Sequence, residues 1–252
     1  MTARRLAGLL VLIALTACAT SPVDAHLQRA DEHRVYGEWE PAIDAYTRAL
    51  DIEPDNAQAL LGRGYARDSS GDYERAIDDF DRAAALNPEA AVVYYNRGLS
   101  HANRGDFGLA FADFDRAAAL DERDAELYRY RGIAHTRAGD YVRALADFDR
   151  AIAIAPHSAK AYRNRGLVHY RLSDLADALA DYNRSIALDP GDAAAYHVRG
   201  AMYLMTGERQ KAACDLQTAI RLSRTLDLAA SAKGLLDQLG NAVCPEDPLS
   251  SS

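Results

Sequence analysis

Four histidines recur at one place in a regular pattern: His33, His101, His135 and His169 lie 34 or 68 residues apart. Histidine nitrogens bind zinc at about 2 Å, so such a column could hold a metal. Residues related by a helical repeat of this length lie on successive packed helices, roughly 8–10 Å apart. Neighbouring histidines therefore cannot easily share one ion. Because Tyr203 takes the next place in the column, we interpret it as a packing position and predict no metal site.

Arginine and aspartate form two further columns with the same spacing. The arginines are Arg29, Arg63, Arg97, Arg131, Arg165 and Arg199, and the aspartates are Asp79, Asp113, Asp147, Asp181 and Asp215. The arginines could form an anion-binding stripe, or they could pair with the aspartates inside the fold. The aspartates would neutralise a stripe, so we favour structural ion pairs, each of which contributes little if it is exposed.

The sequence carries none of the common catalytic motifs. It has no Gly-rich phosphate loop, no HExxH and no Ser-centred nucleophile elbow. Its carboxylates are numerous, but on helical repeats most of them lie on solvated faces. We therefore expect no enzymatic activity, no cofactor and no small-molecule substrate. A net charge of −8 at pH 7 also argues against nucleic acid as a partner, because phosphate binding needs a concentrated cationic face.

The elements that carry these columns repeat every 34 residues. The period is marked by Gly64, Gly98, Gly132, Gly166 and Gly200. Units of this length must stack on their neighbours to bury a core. The alanine-rich composition of the units favours helix over strand.

A single unit, residues 57–90, predicts two helices joined by a tight turn. Gly71 ends the first helix, the following Asp72 starts the second, and Pro88 ends the unit. Gly64 lets the two helices approach closely, and Phe80 fills the space between them.

This pattern resembles the tetratricopeptide repeat, which has a small residue at position 8, alanine at 20 and 27, an aromatic residue at 24 and proline at 32. Position 20 is Ala42, Ala76, Ala110, Ala144, Ala178 and Ala212. The resemblance implies an all-α, right-handed α-solenoid of six helix-turn-helix units. Their bounds are 23–56, 57–90, 91–124, 125–158, 159–192 and 193–226. Departures such as Leu216 in place of the aromatic residue are few.

After the sixth unit, residues 227–240 predict a helix that covers the last apolar face of the array. Its apolar face comprises Leu228, Ala232, Leu235, Leu236 and Leu239. The tail 241–252 contains proline and serine, and we expect it to be disordered.

The first seventeen residues are typical of an export signal. A positive start is followed by an apolar stretch that is too short to span a bilayer. The sequence Leu15-Thr16-Ala17-Cys18 resembles the lipobox of bacterial lipoproteins, which implies a lipid on Cys18 and a short tether over 18–22. Ala19 after the cysteine resembles an outer-membrane address. The alternative is cleavage at an ordinary A-x-A site, which Ala17-Cys18-Ala19 also fits.

Cysteine usage fits an exported protein. With lipid on Cys18, Cys214 and Cys244 remain, and two cysteines in an oxidising compartment can form a disulfide. The alternative is two free thiols.

The resemblance also implies a binding surface, because in this family the first helix of each unit lines a concave groove. The groove residues expected here are Tyr65, Tyr95, Asn96, Leu99, Arg129, Tyr130, Lys160, Arg163, Asn164 and Tyr170, and Ile133, Leu167 and Arg171 are expected on the same wall. Tyrosine and arginine are favoured at protein-binding hot spots, the asparagines suit a peptide backbone, and the cations suit a carboxylate. The alternative is that these are ordinary wall residues without one ligand.

Together the two resemblances predict a membrane-anchored scaffold of the bacterial cell envelope, held by its lipid on the periplasmic face of the outer membrane. The chain is similar to pilotin-type lipoproteins that assemble secretin rings and to lipoproteins that recruit peptidoglycan hydrolases. The predicted partner is an envelope protein that the sequence does not identify. The alternative is a soluble periplasmic binding or chaperone-like module without a lipid anchor.

Overall fold

The computed structural model describes residues 21–240 and Cys244. In this part of the chain there are thirteen α-helices and no strand, which confirms the predicted all-α class. The chain divides into two compact units, Met1–Asn87 and Pro88–Ser252. The first unit contains α1 (Pro22–Val35), α2 (Trp39–Ile52), α3 (Ala57–Ser70) and α4 (Tyr73–Leu86). The second contains α5 (Ala91–Arg104), α6 (Phe107–Leu120), α7 (Ala125–Ala138), α8 (Tyr141–Ile154), α9 (Ala159–Arg171), α10 (Leu175–Leu188), α11 (Ala193–Met205), α12 (Arg209–Leu222) and α13 (Leu226–Asp237).

Helices α1 to α12 form consecutive pairs packed as in a solenoid, and short polar turns set where each helix begins and ends. Asn56 and Asp72 cap α3 and α4, each accepting a hydrogen bond from a backbone amide of the first turn. Gly71, between them, has a φ of 89°, a left-handed conformation that glycine adopts without strain. In the turn between α9 and α10 this role falls to Ser173, with a φ of 67°.

In the first unit, small residues let paired helices approach one another. Ala42 and Ala76 are fully buried, and a Cβ atom on Gly64 would lie 2.6 Å from the Phe80 ring. Tyr46 is also buried, and its hydroxyl donates a 2.6 Å hydrogen bond to Asp31. The glycine and alanine columns of the sequence therefore mark the contact between the two helices of a pair.

The second unit repeats this packing. A Cβ atom on Gly132 would lie 2.8 Å from the Phe148 ring, so any larger residue there would push α7 away from α8. The alanines of the position-20 column are fully buried here at Ala110, Ala144, Ala178 and Ala212, and the large side chains buried beside them are Phe114, Phe148, Tyr182 and Leu216. Leu216, which takes the aromatic position, is as fully buried as the aromatic side chains.

The arginine and aspartate columns form ion pairs, as predicted. Arg63 donates from Nε and Nη2 to the two oxygens of Asp79, at 2.9 and 2.7 Å. In the second unit the pairs are Arg97–Asp113, Arg131–Asp147, Arg165–Asp181 and Arg199–Asp215. The aspartates of all five pairs are buried, so removing one arginine would leave an uncompensated buried charge.

Several of these arginines also reach back to the preceding helix pair. Arg131 donates to Asp115 on α6 at 2.7 Å, in addition to its bonds with Asp147 on α8. Arg165 makes the equivalent 2.6 Å bond to Asp149. The hydrogen bonds that Arg165 donates to Asp181 hold the pKa of the guanidinium above its ordinary value. One arginine thus connects three helices.

The two buried histidines of the column confirm that it is a packing position. His101 and His135 are buried, and the His135 ring stacks on Phe111 with centroids 3.9 Å apart. Their Nε2 atoms lie 3.9 and 3.8 Å from Asp113 and Asp147. Burial lowers the pKa of both imidazoles, so the neutral form is favoured in the fold.

The C-terminal helix α13 covers the last pair, and its expected apolar face is turned inward. It ends three residues earlier than the sequence suggests, because residues 238–240 form a turn in which Gly240 has a φ of 60°. Ala232 and Leu239 are buried against Leu216 and its neighbours. The structure joins Cys214 to Cys244 by a disulfide, with Cα atoms 4.7 Å apart.

At the other end, Ser21 caps α1 through a capping box with Asp24. The predicted export signal, the lipid site Cys18 and most of the tether lie outside the described residues, as does the tail apart from Cys244. Within the described residues, no helix combines the length and the apolar character needed to cross a membrane.

Candidate protein-binding face

The first helices of the pairs in the second unit contact one another in succession. Tyr95 on α5 meets Tyr130 on α7, and Tyr170 on α9 donates from its hydroxyl to the sulfur of Met205 on α11 at 3.6 Å. Helices α7 and α9 border a common cleft. We call the surface formed by α5, α7, α9 and α11 the odd-helix face. The sequence-predicted site residues from Tyr95 to Tyr170 all belong to these helices.

Three of the predicted residues form a cluster on this face. The rings of Tyr95 and Tyr130 meet edge to face with centroids 5.9 Å apart, a favourable geometry for aromatic pairs. The guanidinium carbon of Arg129 lies 4.0 Å from the centroid of the Tyr130 ring. Burial raises the pKa of the Tyr95 hydroxyl. Two rings and a cation are thus held in fixed positions.

Arg129 is already neutralised within the chain. Its side chain is buried, and its Nε and Nη2 atoms donate to the carboxylate of Glu126 at 2.9 and 2.6 Å. These hydrogen bonds lower the pKa of Glu126. Lys160 on α9 is exposed and interacts electrostatically with the same carboxylate. A partner's carboxylate would have to compete with Glu126 for both cations.

The predicted polar residues of α9 differ from one another in their bonding. Arg163 donates to Asp192 at 2.6 Å, so it too is paired within the chain. Asn164 differs, because its Nδ2 atom is buried and has no hydrogen-bond partner in residues 21–240. The matching amide of Asn96 on α5 donates to the carbonyl of Val92 in its own helix, at 2.7 Å. Of the two predicted asparagines, Asn164 is the one with an unused donor.

The remaining predicted residues have packing contacts. Leu99 is half-buried against the cluster that contains Ala102 and Phe114. Tyr65 belongs to the first unit, where its exposed ring lies edge to face against Trp39 at 6.1 Å. The structure therefore unites Tyr95, Arg129 and Tyr130 in one cluster, but it does not bring every predicted residue into one site.

The common border of α7, α8 and α9 forms a cleft of about 470 Å³. Arg137 and Arg171 line it together with Asn164, and its apolar walls include Ile133 and Leu167. The sequence predicts Ile133, Leu167 and Arg171 on this wall but omits Arg137. The available signal for Arg137 is that it lies 34 residues before Arg171, at the equivalent position of the preceding repeat.

A cleft of about 540 Å³ in the first unit has the opposite charge. It is lined by Asp24, Asp31 and Glu32 of α1 together with Gln58 of α3. Asp31 is engaged there by Arg34 and by the Tyr46 hydroxyl. The two clefts thus differ in the charge of their lining residues.

One group in the described residues brings three metal-ligating side chains together. Atoms of His169, Asp174 and Asp177 lie within 4.8 Å of one another at the turn between α9 and α10. Both aspartates are exposed, and acidic groups at such distances are common on protein surfaces without an ion. The histidine column had drawn attention to His169, but the two aspartates had no counterpart in that pattern.

Solved structures share the fold. A tetratricopeptide repeat protein from Parabacteroides merdae is 18% identical, with 86% of each chain covered and a TM-score of 0.69. Cut9 in the APC/C hetero-tetramer Cut9–Hcn1 is 19% identical with a TM-score of 0.72, over 86% of this chain and 42% of that one. YrrB, a TPR protein with an unusual peptide-binding site, is 25% identical over 77% of this chain and all of its own, with a TM-score of 0.56. No curated protein matches significantly.

Family models assign the chain directly. Models described as tetratricopeptide repeat match residues 27–91, 91–124, 131–185 and 163–227. These ranges include helices of every pair from α1/α2 to α11/α12. The chain belongs to the tetratricopeptide repeat family.

Proposed function

We propose that this chain is a non-enzymatic scaffold that binds a partner protein on the odd-helix face. The observation that carries the proposal is the cluster of Tyr95, Tyr130 and Arg129. Tyrosine and arginine contribute most to binding at protein interfaces, and rings already held in place lose little entropy when a partner docks.

The family supports this proposal. Tetratricopeptide repeat proteins are generally non-catalytic scaffolds, and their fold suggests binding of protein partners. YrrB, at 25% identity, has a peptide-binding site. A surface that binds an extended peptide needs aromatic contacts and unpaired polar groups, and the second unit offers both in the tyrosine cluster and in Asn164.

The proposal extends to location. We place the protein in the bacterial cell envelope, anchored by a lipid on Cys18 to the periplasmic face of the outer membrane. The lipobox-like sequence before Cys18 supports this, and so does the Cys214–Cys244 disulfide, because disulfides persist in oxidising compartments. There the scaffold would assemble an envelope or secretin complex, or recruit cell-wall enzymes.

Partner binding is tested with the protein as bait in envelope extract, followed by affinity measurement on each captured protein. Replacing Tyr95 and Tyr130 by alanine should weaken binding at least about ten-fold. The matched control replaces Leu109 and Val142, exposed apolar residues of the second helices α6 and α8, and should change affinity less than about two-fold. Circular dichroism checks that both variants fold. Equal affinity of the tyrosine variant and the wild type would refute the proposed face.

Location is tested separately by Cys18→Ser and cell fractionation. The wild type should sediment with outer membranes and the variant should be released into the soluble periplasmic fraction. If the two proteins fractionate alike, the lipid anchor is wrong. A soluble wild type would support the alternative of a periplasmic binding module.

A further inference from the structure

Two arginines of the odd-helix face differ from the rest. Every other arginine of α5, α7, α9 and α11 contacts a carboxylate of the chain itself. In the described residues, Arg137 contacts only the Asn103 side chain, at 3.5 Å, and the Phe107 ring. Arg171 has no ion pair there. Both are exposed, and both line the cleft between α7 and α9.

The cleft also contains a hydrogen-bond donor, the side-chain amide of Asn164. Asn164 lines it, and its Nδ2 atom is shielded from solvent without a hydrogen-bond partner in the described part of the chain. A buried donor without an acceptor destabilises the folded chain. A ligand that supplies the acceptor would remove this penalty.

The order of the cleft residues along α7 and α9 defines which ligand can bind. On α9 the residues are Asn164, Leu167 and Arg171, spaced by three and four positions, so they share one helical face. On α7 the pair Ile133 and Arg137 has the same spacing. The cleft therefore presents an amide at one end, apolar walls in the middle and two guanidinium groups at the other end.

The length of this arrangement matches a short peptide. Seven residues of helix, from Asn164 to Arg171, span roughly 10 Å at 1.5 Å per residue. An extended chain covers that distance in about three residues. Because both arginines are exposed, a partner chain can continue past them into solvent.

We propose that this cleft binds an internal acidic residue of an extended partner segment, with an apolar residue beside it. The Asp or Glu carboxylate of the partner accepts hydrogen bonds from Arg137 and Arg171. The adjacent apolar side chain lies between Ile133 and Leu167, and a backbone carbonyl of the partner accepts from Asn164 Nδ2. This assignment rests on the proposed scaffold function and specifies the chemistry of its partner.

The ion pairs of the odd-helix face favour Arg137 and Arg171 over its other arginines as partners for a carboxylate. Arg129 and Arg163 are already satisfied by Glu126 and Asp192, so an incoming carboxylate gains less there than at an unpaired guanidinium. Pairing with Arg137 and Arg171 breaks no ion pair of the described residues.

The test uses three N-acetylated tripeptides, two of them amidated at the C-terminus, and the purified chain. The probes are Ac-Leu-Glu-Leu-NH2, Ac-Leu-Gln-Leu-NH2 and Ac-Leu-Gln-Leu-OH. Binding is followed by NMR at the side-chain amide of Asn164. We expect the Glu peptide to shift this signal and to bind at least about ten-fold more tightly than the amidated Gln peptide, since tenfold corresponds to about 1.4 kcal/mol.

Two charge-matched variants provide the controls. Arg137→Gln with Arg171→Gln should reduce affinity for the Glu peptide at least about ten-fold. Arg150→Gln with Arg184→Gln removes the same charge from α8 and α10, where both arginines lie over tyrosine rings, and should leave affinity within about two-fold. Asn164→Leu should weaken binding without abolishing the preference for Glu over Gln.

Several outcomes would overturn the inference. These are equal affinity for the Glu and amidated Gln peptides, undiminished binding by the Arg137/Arg171 variant, or no binding of any probe up to ~5 mM. Stronger binding of the free-acid Gln peptide would assign the cleft to chain termini instead. If only the tripeptide test fails while the Tyr95/Tyr130 variant still loses its captured partner, the scaffold function stands and this inference falls.

Discussion

Cys214 and Cys244 are 30 residues apart in sequence, yet their Cα atoms lie 4.7 Å apart across a disulfide. Cys214 belongs to α12, and Cys244 follows α13, so the bond encloses the whole C-terminal helix. The chain closes a second connection nearby, because Arg209 Nη2 donates to the Leu239 carbonyl at 2.8 Å. Both connections join α12 to the segment that follows α13.

Breaking this disulfide should loosen the C-terminal end first. The chain-entropy model assigns roughly 3–4 kcal/mol to a closed loop of this length. Replacing Cys214 and Cys244 by alanine should therefore lower the unfolding free energy of this end by up to that amount. Hydrogen exchange of α13 amides should accelerate markedly, while exchange in α7 and α8 stays nearly unchanged. Uniform acceleration along the second unit would contradict a local role for the bond.

The buried ion pairs predict an asymmetric response to mutation. Arg131→Met leaves the buried Asp147 without its partner and should cost about 3–5 kcal/mol. Combining it with Asp147→Leu should restore much of the loss, because no uncompensated charge remains. Urea unfolding followed by circular dichroism measures both variants.

An exposed pair nearby provides the comparison. Arg143 and Asp140 interact at the start of α8, with Arg143 largely in solvent. Arg143→Met should change the unfolding free energy by less than about 1 kcal/mol. If it costs as much as Arg131→Met, burial is not what distinguishes the two pairs.

Features that recur with the period were predictable from the sequence. The 34-residue repeat places equivalent residues in equivalent contacts within each helix pair. Ala144, Phe148 and the Arg131–Asp147 pair could therefore be assigned from their columns alone. Features that occur in a single repeat were not predictable in this way. The unsatisfied Asn164 amide and the lack of a carboxylate partner for Arg137 in the described residues depend on the neighbours of each side chain, and only the three-dimensional contacts show them.

The same limit applies to charges on the predicted face. The sequence indicates that Arg129 and Arg163 lie on first helices, but not that Glu126 and Asp192 neutralise them. The Glu126–Arg129 spacing of three residues was the available signal, since such pairs meet on a helix surface. Asp192 lies 29 residues from Arg163, at the N-terminal cap of α11, and no local pattern connects them.

Close helix contact predicts opposite effects for two glycines. A methyl group on Gly132 would lie 2.8 Å from the Phe148 ring, so Gly132→Ala should destabilise by about 1–3 kcal/mol. Gly108 on α6 has nothing within 4 Å of an added Cβ. Gly108→Ala should therefore stabilise by up to about 1 kcal/mol through helix propensity. Thermal unfolding of the two variants decides this, and equal signs would contradict the packing argument.

Buried histidines predict a loss of stability in mild acid. Burial lowers the pKa of His101 and His135 below the ordinary value of 6.5. In the unfolded chain both titrate near that value, so below it the unfolded chain binds protons that the folded chain does not. Stability from these groups is therefore complete above pH 6.5 and is lost as the pH falls towards their folded pKa. The slope is at most about 1.4 kcal/mol per pH unit for each histidine.

Urea unfolding at several pH values between 7 and 5 measures this slope. The double variant His101→Gln with His135→Gln should show a shallower decline than the wild type, whatever its absolute stability. His157 is exposed, and His157→Gln should leave the slope unchanged. Carboxylates remote from the replaced side chains contribute equally to all three proteins, so the difference in slope reports the two imidazoles together with their neighbours Asp113 and Asp147. Parallel curves for the double variant and the wild type would mean that the neutral imidazoles do not couple folding to pH.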